Sequence, residues 1–393
     1  MRVVIALASS SRQLSGVQRH AINVARCLLT TSDVSAVHLI AAPWQQEFLE
    51  DCVQDSDGRL SIHSAAIGES ALSRNRWYYT RLPQLAAELK VDIAHLAYPA
   101  PVKTKAFPCP AVVTLHDLYP YDIQENFGFP KVLFNRLVLG QCLSGVDAVA
   151  CVSHGTLSRM RHFYPGLAEA KAVVISNCVE SYSAATGDSS FLKTGEKPFL
   201  LCVAQHRRNK NILFLLRIFK RMLSSGQLSR ETRLVIIGIP GPETKRILHF
   251  LAAEDLTSNV KLVSGVSEAE LQWCYRNCEL LLAPSIVEGF GLPIAEALLA
   301  GCRIICSDLP VFREVGGDHC RYIPLGSAAE QAFVDAICHA LSQPVPAPVS
   351  LPQLSASVIG NQYMKLYQSL QLQERRGCAD LRPASMQDTQ RKA

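Results

Sequence analysis

Short apolar segments recur along nearly the whole chain, each followed by an amphipathic stretch long enough to be a helix. Alternation of this kind builds parallel sheets covered on both faces, because the crossover between parallel strands has to run over one face or the other. Strands are expected over residues 3–8, 36–42, 93–96, 111–116, 148–152 and 173–175. A second series occupies 199–204, 234–238, 260–264, 280–284, 303–307 and 322–324. Near Ser181 the polar stretch SYSAATGDSS separates the two series. Two Rossmann-like, doubly wound α/β domains in tandem account for the pattern. A chain of 393 residues fits two domains at about 150 residues each.

The expected boundaries are 1–180 for the first domain, 181–195 for a linker and 196–344 for the second. The proline-rich QPVPAPVSLPQL that comes next cannot be an ordinary helix. A last helix is expected at 355–371, then a polar, disordered tail at 372–393. Hydrophobic residues at 48% and charged residues at 19% describe a globular chain with ample core. The net charge of +5 is mild, and no zinc-finger or RNA-binding motif accompanies it, so nucleic acid is not an expected partner. MRVVIALA runs straight into a strand without a usual signal peptide, and no apolar run approaches the ~18 residues that span a bilayer. The expected location is the cytoplasm, with peripheral contact at the inner face of a membrane left open. The 14 cysteines suit small buried hydrophobes in a reducing compartment. Cys274/Cys278 and Cys302/Cys306 come near zinc spacing, but they fall in an expected helix and strand, and no metal site is expected there.

Four loops stand at the carboxyl ends of expected strands, where open α/β sheets bind ligands. SSSRQLSGVQRHAINVA turns at Gly16 into a helix but lacks GxGxxG, so a dinucleotide reading is weak. VVTLHDLYPYD sets His116 at a strand end, placed to hydrogen-bond a sugar hydroxyl, to stabilise a charged transition state, or simply to satisfy nearby backbone. LLCVAQHRRNKNILFLLRIFKR has six cations and no acid from Arg207 to Arg221. Arg207, Arg208 and Lys210 lie in the loop, where they could clamp a diphosphate, whereas Arg217, Lys220 and Arg221 belong to a solvated helix face. The fourth loop is SIVEGFGLPIAEALLAGCRIICSD. Gly289 and Gly291 bare the backbone before Pro293 opens a helix, so N–H groups could meet an anion, with Glu288 and Glu296 as acceptors for hydroxyls. The alternative is a plain glycine turn with Glu296 favouring the helix dipole. Cations in one loop, with glycine N–H groups and two carboxylates in another, suit a nucleotide sugar.

In their order these motifs resemble family 4 of the retaining glycosyltransferases, which have the GT-B fold: two Rossmann-like domains facing across a cleft, with a C-terminal helix that crosses back to the first. The likeness runs from residue 1 to about residue 370. Its most specific part is Glu288…Glu296, similar to the family's E-x7-E signature, inside PSIVEGFGLPIAEALLAG. SGVQRHAINVA, TLHDL, AVACVSHGTLSRM, VVISNCVE, RRNKN and VIIG support it. The resemblance implies a nucleotide-sugar-binding second domain and an acceptor-binding first domain. It implies catalytic roles for Glu288 at the donor sugar, His116 reaching that sugar from the other domain, and Lys210 on the leaving diphosphate. The donor-side set it implies is Arg207, Arg208, Gly289, Phe290, Gly291, Leu292, Glu296 on the ribose, and Gly16, with no metal and no cofactor beyond the donor itself. The chain departs from the family in having Ser15-Gly16 for a usual Gly-Gly, Ala204-Gln205 for Gly-Arg, and Cys178 for a glycine, so the arginine that meets phosphate stays open.

The resemblance thus leads to the expectation of a retaining, metal-independent hexosyltransferase of polysaccharide biosynthesis. It would move a mannose- or glucose-type sugar to a glycan or lipid-linked acceptor. Glu288 would serve as a stabiliser and not as a covalent nucleophile. Two other classes share the architecture: a GT-B nucleotide-sugar epimerase or hydrolase, and a non-catalytic GT-B scaffold for a protein partner. The E-x7-E spacing and the Arg/Lys loop favour transfer, and the presence of Glu288, Lys210 and His116 disfavours the scaffold.

Overall fold

A computed structural model describes residues 1–12, 15–46, 49, 57–103, 106–126, 128–180, 191 and 199–380. Strands β1 (Arg2–Ala6), β2 (Ala36–Ala41), β3 (Leu60–Ser64), β4 (Ile93–Leu96), β5 (Ala111–Leu115), β6 (Ala148–Cys151) and β7 (Ala172–Val174) form one parallel sheet in the order β3-β2-β1-β4-β5-β6-β7. Strands β8 (Phe199–Val203), β9 (Arg233–Ile237), β10 (Val260–Val263), β11 (Leu280–Ala283), β12 (Ile304–Ser307) and β13 (Arg321–Ile323) form a second, in the order β10-β9-β8-β11-β12-β13. In each sheet the chain winds outward from one strand and then reverses beside it, at β1/β4 and at β8/β11. The loops leaving those four strands diverge and open a crevice.

The central strands are continuous apolar runs because both faces are covered. RVVIA and FLLCV bury nearly every side chain, half against one helical layer and half against the other. The helices show the complementary pattern. In Ile212–Ser224, Ile212, Leu215, Leu216, Phe219 and Met222 face the sheet at helical spacing. Arg217 on its outer side donates to Glu330 at 2.9 Å, and Arg221 bonds Gln331.

Strand β3 has no counterpart among the segments expected from the sequence. LSIHS lies at a sheet edge with its side chains only partly covered, so it lacks the apolar run that marks the others. The last helix also differs from expectation. It spans Ala356–Asp380, continuing past 371 into the stretch expected to be tail. Residues 381–393 of that expected tail lie outside the described residues, as does the expected linker apart from Phe191. No helix among the described residues is long and apolar enough to cross a membrane.

The last helix packs on the first sheet. Ile359, Tyr363, Met364 and Tyr367 share a core with Val3, Ile5, Val112 and Ala150. Tyr367 Oη lies 2.6 Å from His95 Nδ1, and His95 Nε2 lies 2.8 Å from Thr114 Oγ1. His20 Nε2 meets the same threonine at 3.1 Å, and its ring stands edge-on to His116 with centroids 4.8 Å apart. A polar line therefore runs from the crossover helix through the sheet to the carboxyl end of β5. Burial holds these imidazoles neutral: His95 is lowered to about 3 and His116 to about 4, while His20 is lowered well below 6.5 by burial and by the other two rings.

Their neutrality makes stability depend on pH. In the unfolded chain these histidines take up protons near 6.5, whereas the folded protein admits them only far lower, so the unfolded state binds more protons in that window. Their contribution should be complete above about pH 6.5 and decline as pH falls towards about 4, read as a falling melting temperature. Tyr367→Phe should cost about 1–3 kcal/mol by leaving a buried His95 nitrogen unpaired, measured as a lower urea midpoint at unchanged m.

Candidate active site

Two loops of the second domain meet at its switch point. The chain leaves β8 through a short turn, Arg208–Lys210, ended by Asn211 in the left-handed region at φ 55°. It leaves β11 through Pro284 to Gly291 and enters the helix Leu292–Leu299, with Gly291 as its left-handed N-cap at φ 99°. Pro293 takes the second helical position, one later than expected, which its missing N–H also tolerates. The buried Asn209 stitches the loops together: Ile286 N–H donates to its carbonyl at 2.7 Å.

That stitching brings Lys210 and Glu288 into an ion pair. Ser285 Oγ donates to Glu288 Oε1 at 2.7 Å, and Tyr119 Oη from the first domain approaches Oε2 at 3.3 Å. A small pocket beside them is lined by Lys210, Ser285, Glu288, Pro293 and Phe312. Glu296 lies farther along the helix, receiving Tyr275 Oη at 2.7 Å and facing Arg19 of the first domain at 3.5 Å. Burial raises its carboxyl, against the pull of Arg19. Arg19 also pairs with Glu268 at 3.0 Å, so one first-domain guanidinium spans two second-domain acids.

Gly289 makes a tight approach between the domains. A Cβ there would stand 1.8 Å from the His116 carbonyl oxygen, so only glycine fits. Its own carbonyl accepts from Ser153 Oγ at 2.6 Å and Thr156 Oγ1 at 3.0 Å. Gly291 is confined similarly, since a Cβ would lie 2.9 Å from the Phe312 ring. The bareness of these glycines accommodates protein first: the backbone of one domain at Gly289, an aromatic ring at Gly291.

His116 sits half-buried at the end of β5, its Nε2 2.8 Å from the Ala97 carbonyl. A carbonyl can only accept, so Nε2 carries the proton and Nδ1 is left as an acceptor. Such a ring can take a hydrogen bond from a hydroxyl, but at neutral pH it brings no positive charge. Of the arginines left open, Arg208 turns to Glu125 at 3.8 Å on the exposed rim, with its N–H on Asn126 at 3.2 Å. Near Arg207, burial lifts the Asp117 carboxyl to about 6, against the downward pull of the Tyr119 N–H bond and of the Arg207 charge.

Gly16 and Leu292 face each other across the cleft, with the position of a Gly16 Cβ 3.9 Å from Leu292 Cδ1. The Phe290 side chain is buried in the core of the second domain, leaving only its backbone to the loop. Arg217, Lys220 and Arg221 stand apart from the site, tied to neighbouring helices. Sequence reasoning missed Arg19, Tyr119, Tyr275 and Ser285. Arg19, Tyr119 and Ser285 lie inside motifs already singled out, but no local pattern marks Arg19 or Tyr275 as neighbours of Glu296. Cys278 Sγ lies 3.2 Å from Cys302 Sγ, so the zinc-spaced cysteines meet across pairs, and among the described residues no three His, Cys, Asp or Glu side chains converge to hold a metal.

Comparison with known proteins bears on the family and the fold. Residues 14–181 match the family model Glycosyltransferase Family 4, and residues 187–352 match Glycosyl transferases group 1. O-antigen chain mannosyltransferase B of Escherichia coli is 22% identical over 355 residues, 86% of this chain and 88% of that one. O-antigen chain mannosyltransferase RfbU of Salmonella typhimurium is 29% identical over 204 residues, 52% of this chain and 53% of the relative, so that match spans only about half of each. Among solved structures, WaaG, a glycosyltransferase involved in lipopolysaccharide biosynthesis, has a TM-score of 0.65 at 16% identity, with 95% of this chain and 98% of WaaG covered. Anabaena HepE in complex with UDP and glucose has a TM-score of 0.62 at 14% identity, with 97% and 100% covered. These neighbours share the arrangement of two parallel sheets with their covering helices. With one family model on each half and this fold, the chain belongs to the family 4, group 1 glycosyltransferases of GT-B architecture.

Proposed function

We propose that the protein is a retaining hexosyltransferase, carrying a mannose- or glucose-type sugar from a nucleotide-diphosphate donor to a glycan or lipid-linked acceptor in polysaccharide or glycolipid synthesis. The observation that carries this reading is the Lys210–Glu288 pair at the β8/β11 switch point, with Tyr119 reaching it from the other domain. Without ligand the two charges satisfy each other. A diphosphate entering the pocket competes for the ammonium, since a phosphate takes a charge-assisted bond from it. Glu288, still held by Ser285 Oγ, is then free to accept from sugar hydroxyls. The mannosyltransferase names of the relatives favour mannose among the hexoses.

Catalysis on this reading is electrostatic. As the anomeric bond to phosphate breaks, negative charge grows on the leaving diphosphate and positive charge on the sugar ring. Lys210 and Arg207 meet the first, and the Glu288 carboxylate stabilises the second. Neutral His116 offers Nδ1 to a sugar hydroxyl and orients the ring, while Glu296 holds the ribose once Arg19 and Tyr275 yield it. These cationic side chains take the part a divalent ion plays elsewhere, so no metal is required, and turnover should be unchanged by an excess of EDTA. A loss restored by Mg²⁺ would reverse that part of the proposal.

Lys210→Ala should weaken donor binding and slow transfer by about tenfold or more, the scale of a lost hydrogen bond to a charged group. Wild-type kinetics in the folded variant would remove Lys210 from the site. The two glutamates should separate kinetically. Glu288→Gln should depress kcat more than donor affinity, because its contact strengthens as charge develops. Glu296→Gln should mainly raise donor KM. If both merely cap a turn, each variant would lose a few tenths to about 1 kcal/mol of stability and keep its turnover. Sugar release that does not depend on added acceptor would instead identify a hydrolase or epimerase.

A further inference from the structure

The helix Lys131–Gly145 is apolar on two sides. Its inner face, Leu139, Cys142 and Leu143, packs into the core of the first domain. Its outer face carries Leu133 and Phe134, each 47% exposed, and Leu137, 72% exposed, with Phe129 just before it at 83%. Isolated exposed leucines are ordinary, but three large apolar side chains at helical spacing on one short element, with a fourth just before it, are not. A helix apolar on both faces is one that meets apolar material on both.

Charge narrows what that material is. From Gly128 to Val146 there is no carboxylate, while Lys131 and Arg136 are present. Lys131 is exposed and forms no ion pair among the described residues. Exposed Lys103 stands beside the far end of the helix, where Val102 N–H donates to Gln141 at 2.9 Å. The nearest acids on the preceding loop are engaged, Asp122 by Arg159 and Glu125 by Arg208. An apolar face with a cationic fringe fits the headgroup–acyl boundary of an anionic bilayer.

The same helix borders the cleft. Arg136 Nε donates to the Pro120 carbonyl at 2.9 Å, and its guanidinium lies 4.6 Å from the centroid of the Tyr121 ring. Tyr119, one residue before Pro120, is the side chain that reaches Glu288. We infer that the outer face of Lys131–Gly145, with Phe129, seats the protein on an anionic lipid surface and holds the cleft mouth there. The seat rests on exposure and charge alone; that it presents a lipid-linked acceptor to Glu288 rests on the transferase reading.

Flotation of the full chain with vesicles tests it. Wild type should float with equimolar phosphatidylglycerol and phosphatidylcholine, much less with phosphatidylcholine alone, and less again at about 0.5 M NaCl, where surface charge is screened. Leu133→Glu with Leu137→Glu should weaken binding by at least about tenfold, because two apolar side chains no longer leave water. Leu137→Gln is the milder variant if the pair disturbs folding, and Phe134→Trp should shift its emission to the blue on adding the anionic vesicles. Wild type that stays with the soluble fraction, a double variant that floats equally well, or a tryptophan that does not respond would each overturn the seat. A concentration-dependent dimer that Leu137→Glu dissolves, with no vesicle binding, would assign the face to a second copy instead. Thermal shift by UDP or GDP, measured alongside without vesicles, keeps the two readings apart. A retained shift without flotation sinks the membrane seat alone, and flotation without a shift sinks the nucleotide-sugar reading alone.

Discussion

Two parallel sheets can work on one ligand only if the carboxyl ends of their strands are held facing each other, and in this chain they are held closely where Gly289 passes the His116 carbonyl. With 1.8 Å between that oxygen and where a Cβ would sit, no side chain can intervene. The contact joins the loop after β11 to the loop after β5, and Ser153 and Thr156 lock it by bonding the Gly289 carbonyl. The neighbouring cross-domain contacts, Tyr119 to Glu288, Arg19 to Glu296 and Asn126 to Asn209, lie around this junction. They need the approach to be close, because none of these side chains spans a wide cleft.

The charges at the junction are each satisfied within the protein, and on the proposed function each would be released by the donor. Lys210 and Glu288 sit only partly exposed, where an unpaired charge is costly, yet they pair with each other through groups a diphosphate and a sugar could replace. Glu296 is in the same position with Arg19 and Tyr275. The histidines are the opposite case. His20 and His95 form a neutral, buried pair tied to Thr114 and, through His95, to Tyr367 of the last helix, and the His20 ring stands against His116. This pair fixes the His116 ring from behind, so the packing of the last helix is felt at the carboxyl end of β5.

Much of this was legible along the chain, and the reasons it was are local. Buried parallel strands are continuous apolar runs, so twelve of the thirteen strands among the described residues could be placed from sequence, while β3 at the edge could not. Gly289, Gly291, Glu288 and Glu296 lie in one contiguous stretch whose spacing survives folding unchanged, and Lys210 lies in another. The family resemblance rested on those stretches, and the family models on both halves of the chain bear it out.

The sequence by itself determined the elements, the loops that bear chemistry and the family, because each depends on residues close together in the chain. Only the tertiary structure decided which groups meet. Arg19 reaches Glu296 across 277 positions, and His95 reaches Tyr367 across 272, separations at which no local periodicity carries information. It also set Arg207 and Arg208, adjacent in sequence, against different acids: the charge of Arg207 acts on Asp117, while Arg208 lies 3.8 Å from Glu125. The state of His116 was settled the same way: burial makes it neutral, and the Ala97 carbonyl, although it favours the proton, fixes Nε2 as the donor; both arise only when β4 and β5 lie side by side.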